Sequence, residues 1–220
     1  MRAINLITEE VPPLTHSDSG EKTLNWMEEF KVSHLPVLKY GKFVGVVSES
    51  DILDKMDPDK TLDELFQHLP RPYVLDSDHI YQVISRISEL KLTVIPVLDA
   101  NENYLGCIPM QHLMLHIANT GSIKENGGIL VLEMSSSDYS MAEIGQIIES
   151  NDAKILSSYM MSSQDSTNIE ITLKINTLEL ERIIRTFERY DYVIKASYQK
   201  GIFEDDMQLK FDALMNYLKL

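Results

Sequence analysis

The sequence has a single cysteine, Cys107, among its 220 residues, so no disulfide can form within the chain. No run approaches the roughly 20 apolar residues needed to span a bilayer. The opening residues Met1-Arg2-Ala3-Ile4-Asn5 lack the long apolar stretch of a signal peptide. A cytoplasmic location is the expectation. Positive charge is scarce as well: 20 Lys and Arg stand against 34 Asp and Glu, a formal net charge of −14. Such a surface repels nucleic-acid phosphate and anionic lipid, so neither nucleic acid nor membrane is an expected partner. Catalytic signatures are missing too. There is no phosphate-cradling G-x-x-x-x-G-K-[ST] loop and no supported Ser–His–Asp or Cys–His motif, and no enzyme activity is expected. Cys107 sits in the apolar strand pattern Tyr104-Leu105-Gly106-Cys107-Ile108, a setting for a small buried residue rather than a reactive thiolate.

What is present starts with an internal repeat. Leu35-Pro36-Val37-Leu38 recurs as Ile95-Pro96-Val97-Leu98, 60 residues later. Each copy leads through a short polar turn into a second apolar run, Phe43-Val44-Gly45-Val46-Val47 or Tyr104-Leu105-Gly106-Cys107-Ile108. Two short strands about a polar turn predict a hairpin. The glycine in each second strand removes a side chain where backbone or ligand comes close. Apolar residues at helical spacing predict a helix before each hairpin, over 19–31 and 78–90, and shorter helices after them, about 49–56 and 110–118. Each unit reads strand, helix, strand, strand, helix. One sheet face is left open in each, so the two should close on one another around a shared core.

The segments His34-Leu35-Pro36-Val37-Leu38 and Gly45-Val46-Val47-Ser48-Glu49-Ser50-Asp51-Ile52 resemble a CBS domain. Copy two keeps Pro96-Val97-Leu98 and Gly106 but has Pro109 where Ser48 falls and His112 where Asp51 falls. The resemblance covers about residues 1–118, a tandem pair (Bateman module) with repeats at about 1–58 and 59–118. It implies a regulator that binds an adenosine-containing ligand such as AMP, ADP, ATP or S-adenosylmethionine between the repeats. Asp51 is the candidate acceptor for the ribose hydroxyls, since an ionised carboxylate takes both. Ser48 lies on the same side at the head of the same helix, where the field favours an anion. The resemblance puts the adenine against His34, Leu35 and Pro36, with Leu14 and Thr15 as a second wall. Ser48-x-x-Asp51 is equally a helix cap followed by an acid in the first turn, and one pair of residues can serve both ends. The losses in copy two leave at most one typical nucleotide site. His112 and His116 share a helix face, but Leu113 stands where the metalloprotease pattern needs Glu, so they are read as structural and no metal is expected.

Gly, Asn and Ser cluster over 119–128, which marks a boundary, with a linker at 119–127. Beyond it the pattern is a strand from Ile129, a helix over 141–150, strands over 153–161 and 168–175, a helix over 178–190 and a strand over 192–198. This βαββαβ order is ferredoxin-like. Residues 128–199 resemble an ACT domain, a family that takes small ligands, often amino acids, at the loop after its first strand. Here that loop keeps Asp138, also readable as a helix cap, and has Ser140 where glycine is usual. A sheet edge or face of this kind tends to be covered, so a homodimer is expected. Residues 200–220 carry Met207, Phe211, Leu214, Met215 and Leu218 at helical spacing and predict an amphipathic helix docked on its own domain or a partner. The fold class expected is thus α/β followed by α+β: a CBS-domain pair, then an ACT-like ferredoxin-like domain. The arrangement resembles small bacterial acetoin-utilisation-type CBS–ACT proteins. It implies a regulatory sensor acting through domain or dimer rearrangement on an unidentified protein target. The alternative is a structural adaptor dimer with vestigial sites.

Overall fold

The computed structural model describes residues 1–65, 68–120, 122–162 and 167–199. The helix expected over 200–220, and Gly121 of the expected linker, lie outside the described residues. The chain divides into two units, Met1–Ile117 and a second beginning at Ala118.

The first unit holds two copies of one motif. Copy one comprises β1 (Leu14–Thr15), α1 (Gly20–Phe30), β2 (His34–Lys39), β3 (Lys42–Ser48) and α2 (Glu49–Lys55). Copy two comprises β4 (Val74–Leu75), α3 (Ile80–Leu90), β5 (Val94–Leu98), β6 (Tyr104–Pro109) and α4 (Met110–Ala118). Each copy makes a three-stranded sheet, ordered β1-β2-β3 or β4-β5-β6. The first pair in each is parallel and the second antiparallel. Helix signals repeat as well. Ser19 caps α1 and His79 caps α3, and both helices end on a left-handed lysine, Lys31 or Lys91. Such caps satisfy the orphan N–H and C=O groups at the helix ends.

Each copy has its own core, and the copies meet where residues of copy two join that of copy one. Val94 of β5 and Cys107 of β6 pack with Leu14, Leu35, Val37, Val47 and Ile52 of copy one. The connecting segments are exchanged. Ala3 and Leu6, ahead of copy one, pack into the core of copy two beside Val74 and Val83. Leu62 and Leu65, ahead of copy two, pack into the core of copy one. The strand glycines accommodate this exchange: a Cβ on Gly45 would stand 2.7 Å from the Pro70 carbonyl oxygen, and one on Gly106 would stand 2.4 Å from Ile7 Cγ2. What comes close at both glycines is the chain itself. The segments that lead into the two repeats therefore interlock them.

The second unit runs β7 (Gly128–Ser135), α5 (Met141–Glu149), β8 (Ile155–Ser162), β9 (Asn168–Ile175), α6 (Glu181–Arg189) and β10 (Val193–Tyr198). Its antiparallel sheet has the order β10-β7-β9-β8, the ferredoxin-like arrangement. Period-two burial on β7 and β9 sends Leu130, Leu132, Ile169, Ile171 and Leu173 to the face covered by α5 and α6, around Ile144, Ile148, Ile183 and Phe187. The α/β first unit and α+β second unit match the fold class read from the sequence.

Candidate functional site

Strand β3 delivers Ser48 to the head of α2, and the antiparallel register sets Ser48 opposite His34. There the capping reading is fulfilled in full. The Asp51 N–H donates to Ser48 Oγ at 3.2 Å. Asp51 Oδ2 accepts from the Ser48 N–H at 2.9 Å and from the Ser48 hydroxyl at 2.6 Å. Two orphan helix donors are satisfied reciprocally. The other oxygen, Oδ1, accepts from Lys55 Nζ at 2.5 Å. Burial opposes ionisation of Asp51, but the hydrogen bonds from Lys55 and Ser48 overcome it and hold the carboxyl below its ordinary range. Asp51 is an anion bound firmly through one oxygen. The other oxygen is held by an exposed lysine one turn away, a kind of pair with little net strength.

His34 is half-buried and fastens the two repeats together. The Ser33 N–H donates to Thr93 Oγ1 at 2.9 Å. Thr93 approaches His34 Nδ1 twice, with its hydroxyl at 3.1 Å and its N–H at 3.3 Å. A backbone N–H can only donate, so Nδ1 is the acceptor and the ring proton resides on Nε2. Burial pushes the imidazole pKa down, with the Asp51 carboxylate pulling the other way. Thr93 was not among the residues singled out from the sequence. Its signal was available, since it stands at the repeat position of Ser33.

A pH dependence follows. An unfolded histidine titrates near 6.5, and His34 in the fold titrates lower. The unfolded chain therefore binds the extra proton in the interval between. Stability from this group is complete above about pH 6.5 and declines as pH falls below it. Chemical denaturation at pH 7.5 and 5.5 is expected to show a larger loss for the native chain than for His34→Asn, whose amide oxygen can replace the Nδ1 acceptor. Equal losses would mean that His34 does not carry the effect.

The remaining candidates are dispersed. Leu14 and Leu35 are fully buried in the core, and Pro36 is buried on the opposite face of β2. Thr15 is exposed and pairs with Leu38, four residues along β2 from His34, a separation of roughly 13 Å. Ser48, Asp51 and His34 thus form one group at one end of the sheet, with Leu14 and Thr15 towards the other. In copy two, Pro109 and His112 occupy the positions of Ser48 and Asp51, and Pro109 ends β6. His112 and His116 meet each other, Nε2 to Nε2 at 3.0 Å. Among the described residues no group of three or more potential ligands could hold a metal ion. Cys107 is buried, its thiol donates to the Val11 carbonyl at 3.4 Å, and burial pushes its pKa up to about 11. No described helix is long and apolar enough to cross a membrane.

In the second unit the cap of α5 is Ser140, whose hydroxyl accepts from the Glu143 N–H at 3.3 Å. Asp138, the other cap candidate, is exposed and accepts from the Ser137 hydroxyl. A trough of about 450 Å³ beside this loop is lined by Glu133, Asp138, Glu143 and Asp191. Four carboxylates around one trough disfavour a ligand that brings a carboxylate of its own.

With this geometry in view, residues 3–58 match the family model described as CBS domain. Among solved structures, the chain is similar to a CBS domain pair/ACT domain protein from Thermotoga maritima, at 23% identity over 54% of this chain and 98% of that one, with a TM-score of 0.47. It is similar to the CBS domains of a transcriptional regulator from Streptococcus pneumoniae, at 24% identity over 52% and 98%, with a TM-score of 0.45. It is also similar to CBSX2 in complex with AMP, at 24% identity over 56% and 98%, with a TM-score of 0.47. No curated protein matches the chain.

Proposed function

We propose that this chain is a non-catalytic regulatory sensor. Its first unit acts as a tandem CBS pair that takes an adenosine-containing nucleotide beside the head of α2, and binding is relayed through domain or dimer rearrangement. The observation that carries the reading is the CBS match over residues 3–58, which includes an ionised Asp51 with one weakly held oxygen. A ribose hydroxyl can displace the exposed Lys55 and donate to Oδ1 while Oδ2 keeps the cap intact. Binding yields a signal only if the nucleotide prefers one conformation over another. The ACT-like reading of the second unit, the homodimer, the cytoplasmic location and the likeness to acetoin-utilisation-type CBS–ACT proteins belong to the same proposal.

Asp51→Asn separates the two roles of this side chain. The amide oxygen can still accept from Ser48, but the amide nitrogen cannot accept from a ribose. A nucleotide at about 100 times its dissociation constant should stabilise the native chain by about 2.7 kcal/mol, read as a thermal shift with AMP, ADP, ATP and S-adenosylmethionine in turn. The shift is expected to vanish in Asp51→Asn with the unliganded melting point little changed. Asp51→Ala should also lose the shift, and about 1 kcal/mol of stability with the cap. Undiminished binding by Asp51→Asn would remove the ribose role. The second reading, a structural adaptor with vestigial sites, is favoured by Pro109 and His112 in copy two. It predicts no shift with any of the four ligands.

A further inference from the structure

Helix α4 carries two histidines and no other ionisable side chain over Met110–Ala118. It is held in place from several sides. Leu113 is buried in the core of copy two. The Met110 N–H donates to the Thr93 carbonyl at 2.9 Å, and the Gln111 amide donates to the Lys31 carbonyl of copy one at 3.2 Å. On this frame His112 and His116 lie one turn apart, both half-buried, with their Nε2 atoms 3.0 Å apart. Two features of the contact fit a chelate. An ion bound by two imidazoles at about 2.0–2.1 Å holds their nitrogens about 2.9–3.4 Å apart, for angles between square and tetrahedral. The ring centres are 4.8 Å apart, with the planes at 65°. A straight N–H···N bond of the same length would set them about 5.3 Å apart, since each nitrogen lies about 1.15 Å from its ring centre. The rings are therefore bent off the N–N line, as both lone pairs must be to meet at one ion. A histidine pair at i and i+4 on one helix face is also the spacing that zinc-binding helices use.

We propose that His112 and His116 chelate a divalent transition-metal ion, of the zinc, copper or nickel class, through their Nε2 atoms. Imidazole nitrogen suits these ions, whereas magnesium and calcium take oxygen. Among the described residues no group of three or more ligands forms, so water completes the shell and those positions stay open to exchange. Leu113 stands where a metalloprotease helix carries its glutamate base, so the ion is held and not used for hydrolysis. The net charge of −14 raises the cation concentration around the chain. His112 occupies the copy-two position of Asp51. The repeat that lacks the carboxylate thus gains a cation site, and the two copies differ in the chemistry they bind.

Isothermal titration calorimetry of the EDTA-treated full chain with Zn²⁺ is expected to show one site per chain. His112→Gln and His116→Gln should each weaken it at least about tenfold, while His79→Gln leaves it unchanged. Asp51→Asn should bind Zn²⁺ as the native chain does, which separates this site from the nucleotide proposal. NMR of the native chain gives a second reading that needs no substitution. Less than one equivalent of Zn²⁺ should move the ring signals of His112 and His116 ahead of those of His16, His34, His68 and His79. Absence of Zn²⁺ binding, undiminished binding in both variants, or shifts confined to the other histidines would each overturn the inference.

Discussion

Leu35→Ala is expected to lower the unfolding free energy by about 2–5 kcal/mol, the range for emptying a fully buried leucine site. Leu35 has no exposed surface. It sits on the central strand of its sheet, in a cluster with Leu14, Val37, Val47 and Ile52 from its own repeat and Val94 and Cys107 from the other. A cavity there is lined from both repeats, so collapse of one alone cannot fill it. Domains of this kind are stable by only about 5–15 kcal/mol, and the loss is a large share of that. Leu35→Met keeps the volume and should cost less than about 1.5 kcal/mol. Urea denaturation of both variants checks the pair. A loss below about 1 kcal/mol in Leu35→Ala would mean that the side chain is not core, and its candidate role as an adenine wall would gain. On the structure as it stands, Leu35 holds β2 in place, and any effect of its truncation on ligand binding passes through the fold.

Gly127→Ala should be comparably damaging, by about 2–6 kcal/mol when backbone strain and steric overlap are combined. Gly127 has φ +155°, and a Cβ placed on it would lie 1.9 Å from the Ile175 carbonyl oxygen. That oxygen belongs to the backbone at the end of β9, so no side-chain rotation relieves the clash. Gly127 also offers its own carbonyl to Lys174 Nζ at 2.8 Å. The variant must either move the start of β7 away from β9 or shift β9 against α6. Thermal unfolding of Gly127→Ala beside Gly41→Ala provides the contrast. Gly41 shares a positive φ but has nothing within 4 Å of the added methyl, so it tests strain without overlap. Equal losses in the two variants would rule out the overlap as the cause.

The glycine result shows where sequence reading stopped. Composition places Gly127 at the end of the linker and Gly128 at the start of the next domain, because it reports that a glycine is tolerated without saying why. At Gly127 the reason is the Ile175 carbonyl, 48 positions later in the chain, and at Gly128 it is the Leu180 side chain. Neither contact leaves a local trace. By contrast, Gly45 and Gly106 were legible as places of close approach, since they recur in the repeat. What approaches them was not legible, since Ile7 and Pro70 arrive from segments with no pattern of their own.

The candidate site divides in the same way. Ser48-x-x-Asp51 announced a cap by spacing alone, because capping is a local geometry completed within four residues. That His34 lies opposite Ser48 is set by the register of the folded hairpin. The Thr93 contact that makes His34 an acceptor depends on the two repeats meeting, as does the burial that depresses its pKa.

By itself, the sequence determined the elements and their order. Helical and strand periodicities, the 60-residue echo of Leu-Pro-Val-Leu in Ile-Pro-Val-Leu and the βαββαβ succession depend only on neighbours along the chain. Tertiary structure alone decided how the repeats interlock, with Ala3 and Leu6 crossing into one core and Leu62 and Leu65 into the other. It also decided which oxygen of Asp51 accepts from Lys55, and which face of the second sheet α5 and α6 cover. The physical reason is common to all three. Burial and hydrogen-bond satisfaction depend on what fills the space around a group, and residues distant in the chain fill it.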